Sequence, residues 1–432
     1  MRRPSFRKLN YMRRFRQIVR TLSAYGLTDV LKQLKLDRSF RFVRKLMSQE
    51  DTPPGPEIGR WQLVRQMFEE LGPTFIKFGQ IMSNRTDVLP LELVRELQRL
   101  QDKVPPFPGD RARTILESEL GKPVGELFRE FDEVPLASAS IAQVHRAVTF
   151  DGKILAIKIQ RPDIEKLIAT DLGIIRYFAS LAEKYVSGMR YISPTELVDE
   201  FGKTIQRELN FNVERHNMER FASMFKTNRD VYVPQVYRQY SSGKILAMEF
   251  VTGTSLAEIS STDTKGFNTN KLATVGSDVI LEQIFIRGFF HADPHPGNLL
   301  IMDGDIICFL DFGQMGQVRP REQEHLANIM LGLVQMDEVR VTEALLRLTR
   351  RSGSMRTTVL QERVYSLIEE YVDVSLEEYD VTGLMNDLFQ IVVSFGIKVP
   401  SSMMLVLKTL IAIEGIGYNL DPEFNLLQAF RR

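Results

Sequence analysis

The residues best suited to chemistry lie in one segment, HADPHPGNLLIMDGDIICFLDFG, at positions 291 to 313. Asp293 comes first, Asn298 follows five positions later, and Asp311 follows thirteen positions after that. Transfer of a phosphoryl group needs oxygen ligands for Mg²⁺ and an acidic group near the attacking oxygen. The pattern therefore predicts Asn298 and Asp311 as metal ligands and Asp293 as the acidic group of such a site.

A lysine and a glutamate earlier in the chain complete this set. Lys158 closes the run LAIK on a predicted strand, where its ammonium group would reach phosphate oxygens, and Glu208 in a predicted helix is the candidate carboxylate to hold it. Either residue alone reads most simply as a surface residue. Together with the Asp, Asn and Asp set in this chain order, they form the parts of a kinase-like fold.

Two histidines flank Asp293 at a spacing that suggests metal ligands on a helix. His291 and His295 lie four positions apart, but Pro294 and Pro296 prevent a regular helix between them. We therefore expect both rings to form hydrogen bonds that fix the loop.

The elements that must position these residues follow from the periodicity. β-branched runs flank Asp151-Gly152 and again Asp303-Gly304, and each pattern predicts a hairpin. Helical spacing dominates before position 134, from 163 to 225, and after 256, except in the second hairpin. The order predicts an α+β, two-lobed protein-kinase-like fold with an N-terminal helical extension. The predicted regions are a basic amphipathic helical region (1–50), a Pro/Gly break (51–59), a helical extension (60–133), an N-lobe (134–250) with a helical insertion at about 161–200, and a helical C-lobe (251–432).

Composition excludes several classes of protein. The 432 residues carry a net charge of +1, so no global field draws the chain to nucleic acid. The single cysteine, Cys308, cannot form an internal disulfide, which fits a reducing compartment. The most apolar stretch, 397–417, contains Lys398, Lys408 and Glu414, so it is interpreted as a buried helix and not as a membrane span.

The N-terminus is strongly basic and amphipathic. Phe15, Ile18, Val19 and Leu22 recur at helical spacing, and no acidic residue precedes Asp29. Three interpretations stay open: a helix lying on an anionic membrane, a targeting presequence, or a solvated basic face whose apolar stripe packs on the protein. The basic residues are Arg2, Arg3, Arg7, Lys8, Arg13, Arg14, Arg16 and Arg20.

From about Arg14 to its end, the sequence resembles the ABC1/ADCK/UbiB family of atypical kinases. The catalytic loop of that family matches HADPHPGN, its metal-binding DFG motif falls at Asp311, and its invariant lysine matches Lys158. Its ExD motif falls at Glu208-Leu209-Asn210, where Asn210 replaces the Asp. The signature KxGQ appears as Lys77-Phe78-Gly79-Gln80, and an alanine-rich replacement for the kinase glycine loop appears as LASASIAQV at 136–144.

This resemblance implies that the protein binds ATP and Mg²⁺. It places Lys77 and Gln80 in the active site, on a helical extension that covers the cleft, with Glu214 matching the acidic partner of Lys77. Alanine lacks the access of glycine to positive φ, so the loop should be stiffer, and its serines either donate to phosphate or cap a turn. The implied nucleotide-binding residues are Leu136, Ala137, Ser138, Ala139, Ser140, Ile141, Ala142, Gln143, Val144, Lys158, Glu249 and Val251.

The resemblance also implies a role in ubiquinone or related prenylquinone biosynthesis, by ATP hydrolysis or by phosphorylation of a small or lipid-like substrate. The implied partners are a quinone precursor or lipid, an anionic membrane surface and other quinone-biosynthesis proteins, but no nucleic acid. The implied location is the cytoplasmic side of a membrane, with the bacterial inner membrane favoured over an organelle. Alternatives are a non-catalytic, nucleotide-gated scaffold, a protein kinase and a small-molecule phosphotransferase.

Overall fold

The computed structural model divides the chain into two compact units, each with its own buried core. Unit 1 comprises Met1–Val213 and Tyr237–Glu249, and unit 2 comprises Glu214–Val236 and Phe250–Arg432. The Pro/Gly break expected at 51–59 and the end of the basic region lie mainly outside the described residues. The structure describes residues 6–36, 59–83, 85, 89–100, 104–187, 189, 193–348, 357–372, 381–395 and 399–431.

Helices and strands are numbered along the chain. The helices are α1 (Phe6–Ala24), α2 (Thr28–Gln33), α3 (Arg60–Leu71), α4 (Pro73–Met82), α5 (Leu91–Gln98), α6 (Gly109–Leu120), α7 (Val124–Leu127), α8 (Ile164–Tyr185), α9 (Pro194–Glu208), α10 (Phe211–Met224), α11 (Thr269–Leu281), α12 (Pro320–Gln335), α13 (Glu338–Leu348), α14 (Thr357–Val372), α15 (Val381–Ser394), α16 (Ser401–Leu420) and α17 (Leu426–Arg431). The strands are β1 (Glu130–Phe131), β2 (Ala137–Ser138), β3 (Ala142–Val148), β4 (Ile154–Gln160), β5 (Val231–Tyr232), β6 (Ile245–Glu249), β7 (Thr254–Ser255), β8 (Phe289–His291), β9 (Leu299–Met302), β10 (Ile306–Phe309) and β11 (Met315–Gln317).

Unit 1 contains an antiparallel sheet in the order β1-β3-β4-β6, with β2 added to β3. The first predicted hairpin is confirmed as β3 and β4, and Gly152 in its turn has φ +84°, a conformation that favours glycine. Its register sets Lys158 opposite Val144 on β3 and Leu246 on β6. The lysine thus lies on the central strand of the sheet, beside the end of the alanine-rich segment.

The N-terminal helix α1 buries its apolar stripe in unit 1. Phe15, Ile18 and Val19 are at most 2% exposed and belong to a core cluster with residues of α3, α4 and α8. The side chain of Arg14 forms an ion pair of 2.7 Å with the fully buried Asp171. Insertion of this stripe into a lipid interface, one of the three interpretations, is therefore wrong for this fold. The interpretation with a packed stripe is confirmed, because the stripe is buried in this cluster and Arg13, Arg16 and Arg20 on the basic face are exposed.

Unit 2 contains two small sheets among helices. One has the order β5-β10-β9-β7, and the other pairs β8 with β11. The second predicted hairpin is confirmed as β9 and β10, and Gly304 in its turn has φ +84°. The α+β class with an N-terminal helical region is thus confirmed, and the hairpin places the chemical segment at the ends of its two strands.

Helix α16 is the one helix in the described part of the chain that is long and apolar enough to cross a membrane, over Ser402–Leu420. Half of that window is buried inside the fold, where α16 packs on α11 and α15. This packing agrees with the interpretation of 397–417 as a buried helix, although 397 and 398 lie outside the described residues.

Candidate active site

The hairpin of unit 2 brings the two predicted metal ligands together. The backbone N–H of Leu310 donates to the carbonyl of Asn298 at 3.0 Å, so Asn298 and Asp311 occupy neighbouring positions at the end of the two strands. The side-chain amide of Asn298 donates to the carbonyl of Asp293 at 3.4 Å. Because its nitrogen is used in this way, the amide oxygen of Asn298 is the atom available to a cation.

These residues fit a magnesium ion. Oδ1 of Asp311 accepts the N–H of Gly313 at 2.8 Å. A carboxylate can accept several hydrogen bonds and can still ligate a metal. Mg²⁺ usually takes one or two protein oxygens and completes its shell with phosphate and water oxygens. An amide oxygen and a carboxylate at adjacent positions match that requirement.

His291 connects the two acidic residues. Its Nδ1 accepts the N–H of Asp293 at 3.3 Å, so its Nε2 carries the proton and donates to the carbonyl of Asp311. Burial lowers the pKa of His291 below its ordinary value, because the charged ring would lose its hydration, although the Asp311 carbonyl partly opposes this. The neutral ring is therefore the form that fixes the loop.

His295 fixes the next turn. Its Nδ1 accepts the N–H of Gly297 at 3.1 Å, at the start of the 3₁₀ turn Pro296–Asn298. The prediction that both histidines hold the loop by hydrogen bonds is confirmed. The two prolines exclude the helix that a pair of metal-ligating histidines at this spacing would need.

Two residues that the sequence did not single out for this site also hold it. The Nζ of Lys408 on α16 lies 3.0 Å from Oδ1 of Asp293. The side chain of Gln283, in a π-helical turn (Glu282–Arg287), accepts the N–H of His291 at 2.8 Å. Short π-helical turns are frequent at functional sites, but no local sequence pattern marks one.

The alanine-rich segment of unit 1 forms a tight hairpin. The N–H of Ala139 donates to the carbonyl of Ala142 at 2.8 Å, and no residue of 136–144, all of them described, has positive φ. Alanine therefore fits this loop without strain, and glycine is not required. Leu136 and Ala137 are exposed, whereas Ile141 and Ala142 are buried.

Arg161 clamps this hairpin, a role that the sequence did not indicate. Its Nε donates to the carbonyl of Ala139 at 2.8 Å, and its Nη2 donates to Oγ of Ser138 at 2.7 Å. The same Nη2 reaches the carbonyls of Val104 and Pro105 at 3.2 and 2.9 Å. One guanidinium thus ties the loop to the Pro-rich segment of the extension.

Two polar side chains of the loop are buried. Gln143 exchanges hydrogen bonds with the backbone of Phe107 and also contacts the ring of His145, so its side chain has a structural role. The hydroxyl of Ser140 is buried without a hydrogen-bond partner. An unsatisfied buried hydroxyl costs about 1–3 kcal/mol, so the burial of the Ser140 hydroxyl is unfavourable in this conformation of the loop.

The KxGQ segment lies on α4. Gly79 allows close packing there, since an added Cβ would clash with Leu100 and Phe68. Gln80 donates to the carbonyl of Leu100 at 3.1 Å, which joins α4 to the end of α5.

Glu208 corrects one sequence prediction. It was expected to hold Lys158, but its Oε1 lies 2.6 Å from Nζ of Lys77, with side chains 10% and 8% exposed. Glu208 ends α9, which packs on α4, and this contact decides the pairing. The ammonium of Lys158 lies over the ring of Phe211, 5.4 Å from its centroid. The match of Glu214 to Lys77 stays a prediction, and Glu214 is buried in unit 2.

The remaining predicted nucleotide contacts lie near the end of β6. Glu249 is the last residue of that strand, opposite Leu155, and Val251 follows in the segment before β7. Both are half-buried. Backbone recognition of a nucleotide at these positions stays a prediction.

Two family models together match most of the chain. Residues 99–345 match the family model of the ABC1 atypical kinase-like domain, and 364–425 match the UbiB helical domain. A solved structure titled as the complex of Rv3197 with erythromycin, from Mycobacterium tuberculosis, has a TM-score of 0.55 at 24% identity, over 79% of this chain and 87% of that one, and so supports the fold.

Curated relatives extend the match. A protein named "Probable protein kinase UbiB" from Marinobacter nauticus is 35% identical over 86% of this chain and 69% of its own length. Its namesake from Pseudomonas putida is 34% identical over 97% and 79%. "Protein ACTIVITY OF BC1 COMPLEX KINASE 7, chloroplastic" from Arabidopsis thaliana is 34% identical over 86% of this chain and 53% of its own length. The chain therefore belongs to the ABC1, or UbiB, family of atypical kinases.

Proposed function

We propose that the protein binds MgATP and transfers its γ-phosphoryl group to water or to a small or lipid-like molecule, in support of prenylquinone biosynthesis. The observation that carries this proposal is the loop of unit 2, where one hairpin and His291 tie Asp293, Asn298 and Asp311 together. Membership of the UbiB family supports the biosynthetic role.

Each of these three residues has a proposed part in the reaction. Asn298 and Asp311 would hold Mg²⁺, which would supply positive charge to offset that of the phosphate groups. The carboxylate of Asp293 accepts the proton of the attacking hydroxyl or water. A bond forms between that oxygen and the γ-phosphorus, the bond from the γ-phosphorus to the bridging oxygen breaks, and ADP leaves with the electron pair.

The residues of unit 1 are proposed to hold the nucleotide. Lys158 on the central strand would face phosphate oxygens, and the loop 136–144 would offer the half-buried hydroxyl of Ser138, whereas the hydroxyl of Ser140 is buried and would become available only after a change in the loop. The side chain of Gln143 is left out of this role because it is bound to Phe107.

The short connection after the DFG motif favours a small substrate over a protein substrate. Strand β11 begins at Met315, and α12 begins at Pro320, soon after Asp311. An extended peptide needs a platform of chain at this position, and here the chain returns at once to strand and helix. Phosphorylation of other proteins is therefore the second candidate.

A phosphate-release assay tests the proposal. We expect Mg²⁺-dependent release from ATP, increased by liposomes or by phenols that resemble quinone precursors. Labelled phosphate found in the phenol or lipid would identify a kinase, and release without incorporation would identify an ATPase. If the wild-type chain binds MgATP but releases no phosphate under any of these conditions, it is a nucleotide-gated scaffold and the proposal fails.

We also propose that the protein docks on anionic membranes through charge alone. Arg13, Arg16 and Arg20 are exposed on one side of α1, whose apolar stripe is buried. Each such residue contributes about 1 kcal/mol near an anionic surface. Flotation with phosphatidylglycerol vesicles should carry the protein at low salt and lose it at high salt, and a variant with these three arginines changed to glutamine should float less. Equal flotation of that variant would place the docking surface elsewhere.

A further inference from the structure

Asp293 has an ion-pair partner from a distant part of the same unit. The Nζ of Lys408 lies 3.0 Å from Oδ1 of Asp293, and the two residues are 115 positions apart in the chain. Their side chains are 28% and 36% exposed. The carboxylate assigned as the base is therefore held by an ammonium group and remains accessible.

The helix that provides this ammonium is otherwise almost uncharged. Within Ser401–Leu420 only Lys408 and Glu414 carry charge, and most of the other side chains are apolar. Leu407 and Leu410, on either side of Lys408, are buried at 3% and 2% exposure. Packing thus fixes the helix firmly, and a fixed helix fixes the origin of the Lys408 side chain.

Stability gives little reason for a lysine here. Partly exposed ion pairs contribute about 0–1 kcal/mol, since water competes for both groups. The ion pair between Lys408 and Asp293 is therefore better explained by its effect on the Asp293 carboxylate than by its contribution to stability.

The loop itself carries no permanent positive charge. Residues 291–298 include neither lysine nor arginine, and the ring of His295 is already bonded to Gly297. Transfer of a phosphoryl group gains most from charges and donors that are in place before the reaction. In unit 2, Lys408 supplies such a charge next to Asp293.

We propose that Lys408 is a positioning residue for phosphoryl transfer: its ammonium holds the Asp293 carboxylate in one orientation, with Oδ2 directed at the attacking hydroxyl or water. This inference rests on the proposed function and adds a role for the helical domain matched at 364–425, which contains Lys408. Lys408 acts through Asp293, so it should affect the rate of reaction and not the binding of the nucleotide.

The test compares Lys408→Met, which keeps the length of the side chain but removes its charge, with Lys408→Arg, which keeps the charge. Lys271→Met is the matched control, because Lys271 is a similarly exposed lysine of unit 2 that pairs with Asp230 and Asp305. We expect Lys408→Met to lower kcat about 10²-fold, as misplacement of a reacting group does, with KM for MgATP nearly unchanged. Lys408→Arg should restore most of the rate, and the control should match the wild type.

A double-mutant cycle and an assay without nucleotide separate positioning from other causes. In the Asp293→Asn background, Lys408→Met should have almost no further effect, because the group on which it acts is gone. Hydrogen–deuterium exchange of 291–298 in the nucleotide-free protein should rise in Lys408→Met and not in Lys271→Met.

Three outcomes would overturn the inference. They are an unchanged kcat in Lys408→Met, an equal loss in the Asp293→Asn background, or a rise in turnover, which would mean that Lys408 blocks Asp293. If the wild type itself shows no turnover, the proposed function fails instead, while the exchange measurement still reports whether Lys408 holds the loop.

Discussion

Two ion pairs, one in each unit, differ in their access to water. Lys77 and Glu208 in unit 1 are 8% and 10% exposed, whereas Lys408 and Asp293 in unit 2 are 28% and 36% exposed. Breaking a buried pair leaves an uncompensated charge in a place without water, while breaking an accessible pair leaves two hydrated charges. We therefore expect the buried pair to contribute more to the stability of unit 1, whereas the accessible pair is the one proposed to serve phosphoryl transfer.

The largest effect is expected on turnover in unit 2. Asp293→Asn should lower kcat by about 10²–10⁴-fold, the usual contribution of a general base, and should leave MgATP binding nearly intact. Asp311→Asn should instead abolish Mg²⁺-dependent binding, which isothermal titration measures. Equal loss of binding in both variants would mean that Asp293 is a metal ligand, and unchanged binding in Asp311→Asn would refute its assignment.

The next effect is on the stability of unit 1. Glu208→Gln removes the carboxylate charge 2.6 Å from the largely buried ammonium of Lys77, which should lower the free energy of unfolding by about 3–5 kcal/mol. The double variant Lys77→Met with Glu208→Gln removes both charges and should recover part of this loss. Thermal and urea unfolding measure both. A loss as small as that of Lys408→Met, about 0–1 kcal/mol, would remove the distinction between the two pairs.

A smaller effect is expected where Arg161 clamps the loop. Arg161→Lys loses the forked geometry that serves Ser138 and Ala139 together. Loss of two hydrogen bonds at about 1 kcal/mol each should speed amide exchange of 136–142 by about tenfold or more. Ala139→Gly should also loosen the loop and change the preference between ADP and ATP. Arg113→Lys, at an exposed ion pair, is the control. If amide exchange of 136–142 is the same in Arg161→Lys as in the control and the wild type, Arg161 does not clamp the loop.

The smallest effect is a pH dependence shared by both units, each of which buries a histidine. Burial lowers the pKa of His145 in unit 1 and of His291 in unit 2, so the folded protein keeps both rings neutral while the unfolded chain protonates below about pH 6.5. Stability should therefore be constant above that pH and fall below it, by at most about 1.4 kcal/mol per pH unit for each histidine. Melting temperatures between pH 7 and 5.5 measure the slope, which His291→Gln should reduce. A flat profile would show that the rings are not held neutral.

Local patterns predicted the elements of this fold well. The Asp-Gly turns located both hairpins, because glycine at positive φ is a property of the turn itself. The prolines on either side of His295 predicted its role as well, because they prevent a regular helix at this position. The order of motifs, together with the resemblance, identified the candidate site residues, whose catalytic and binding roles stay predictions.

Contacts between distant segments were beyond such patterns. Lys408 reaches Asp293 across 115 positions, and Arg161 reaches Pro105 across 56. Helical periodicity shows that Glu208 lies on a helix but not which neighbouring helix it meets, so its partner was assigned to Lys158 and not to Lys77. The stripe of α1 predicted an apolar contact but did not specify whether lipid or protein provides it.

Helix α16 has a mechanical consequence for the loop. A slip of one residue along its own axis moves a side chain by about 1.5 Å and rotates it by about 100°, which would take Lys408 off Asp293. A transfer of the same helix into a bilayer would break the contact altogether and would place a lysine in hydrocarbon, at about 2.5–3.5 kcal/mol. The position of helix α16 therefore determines whether Lys408 can hold Asp293. Any change that shifts the register of this helix, such as a ligand bound among the C-terminal helices, is expected to alter the orientation of the Asp293 carboxylate without contacting it.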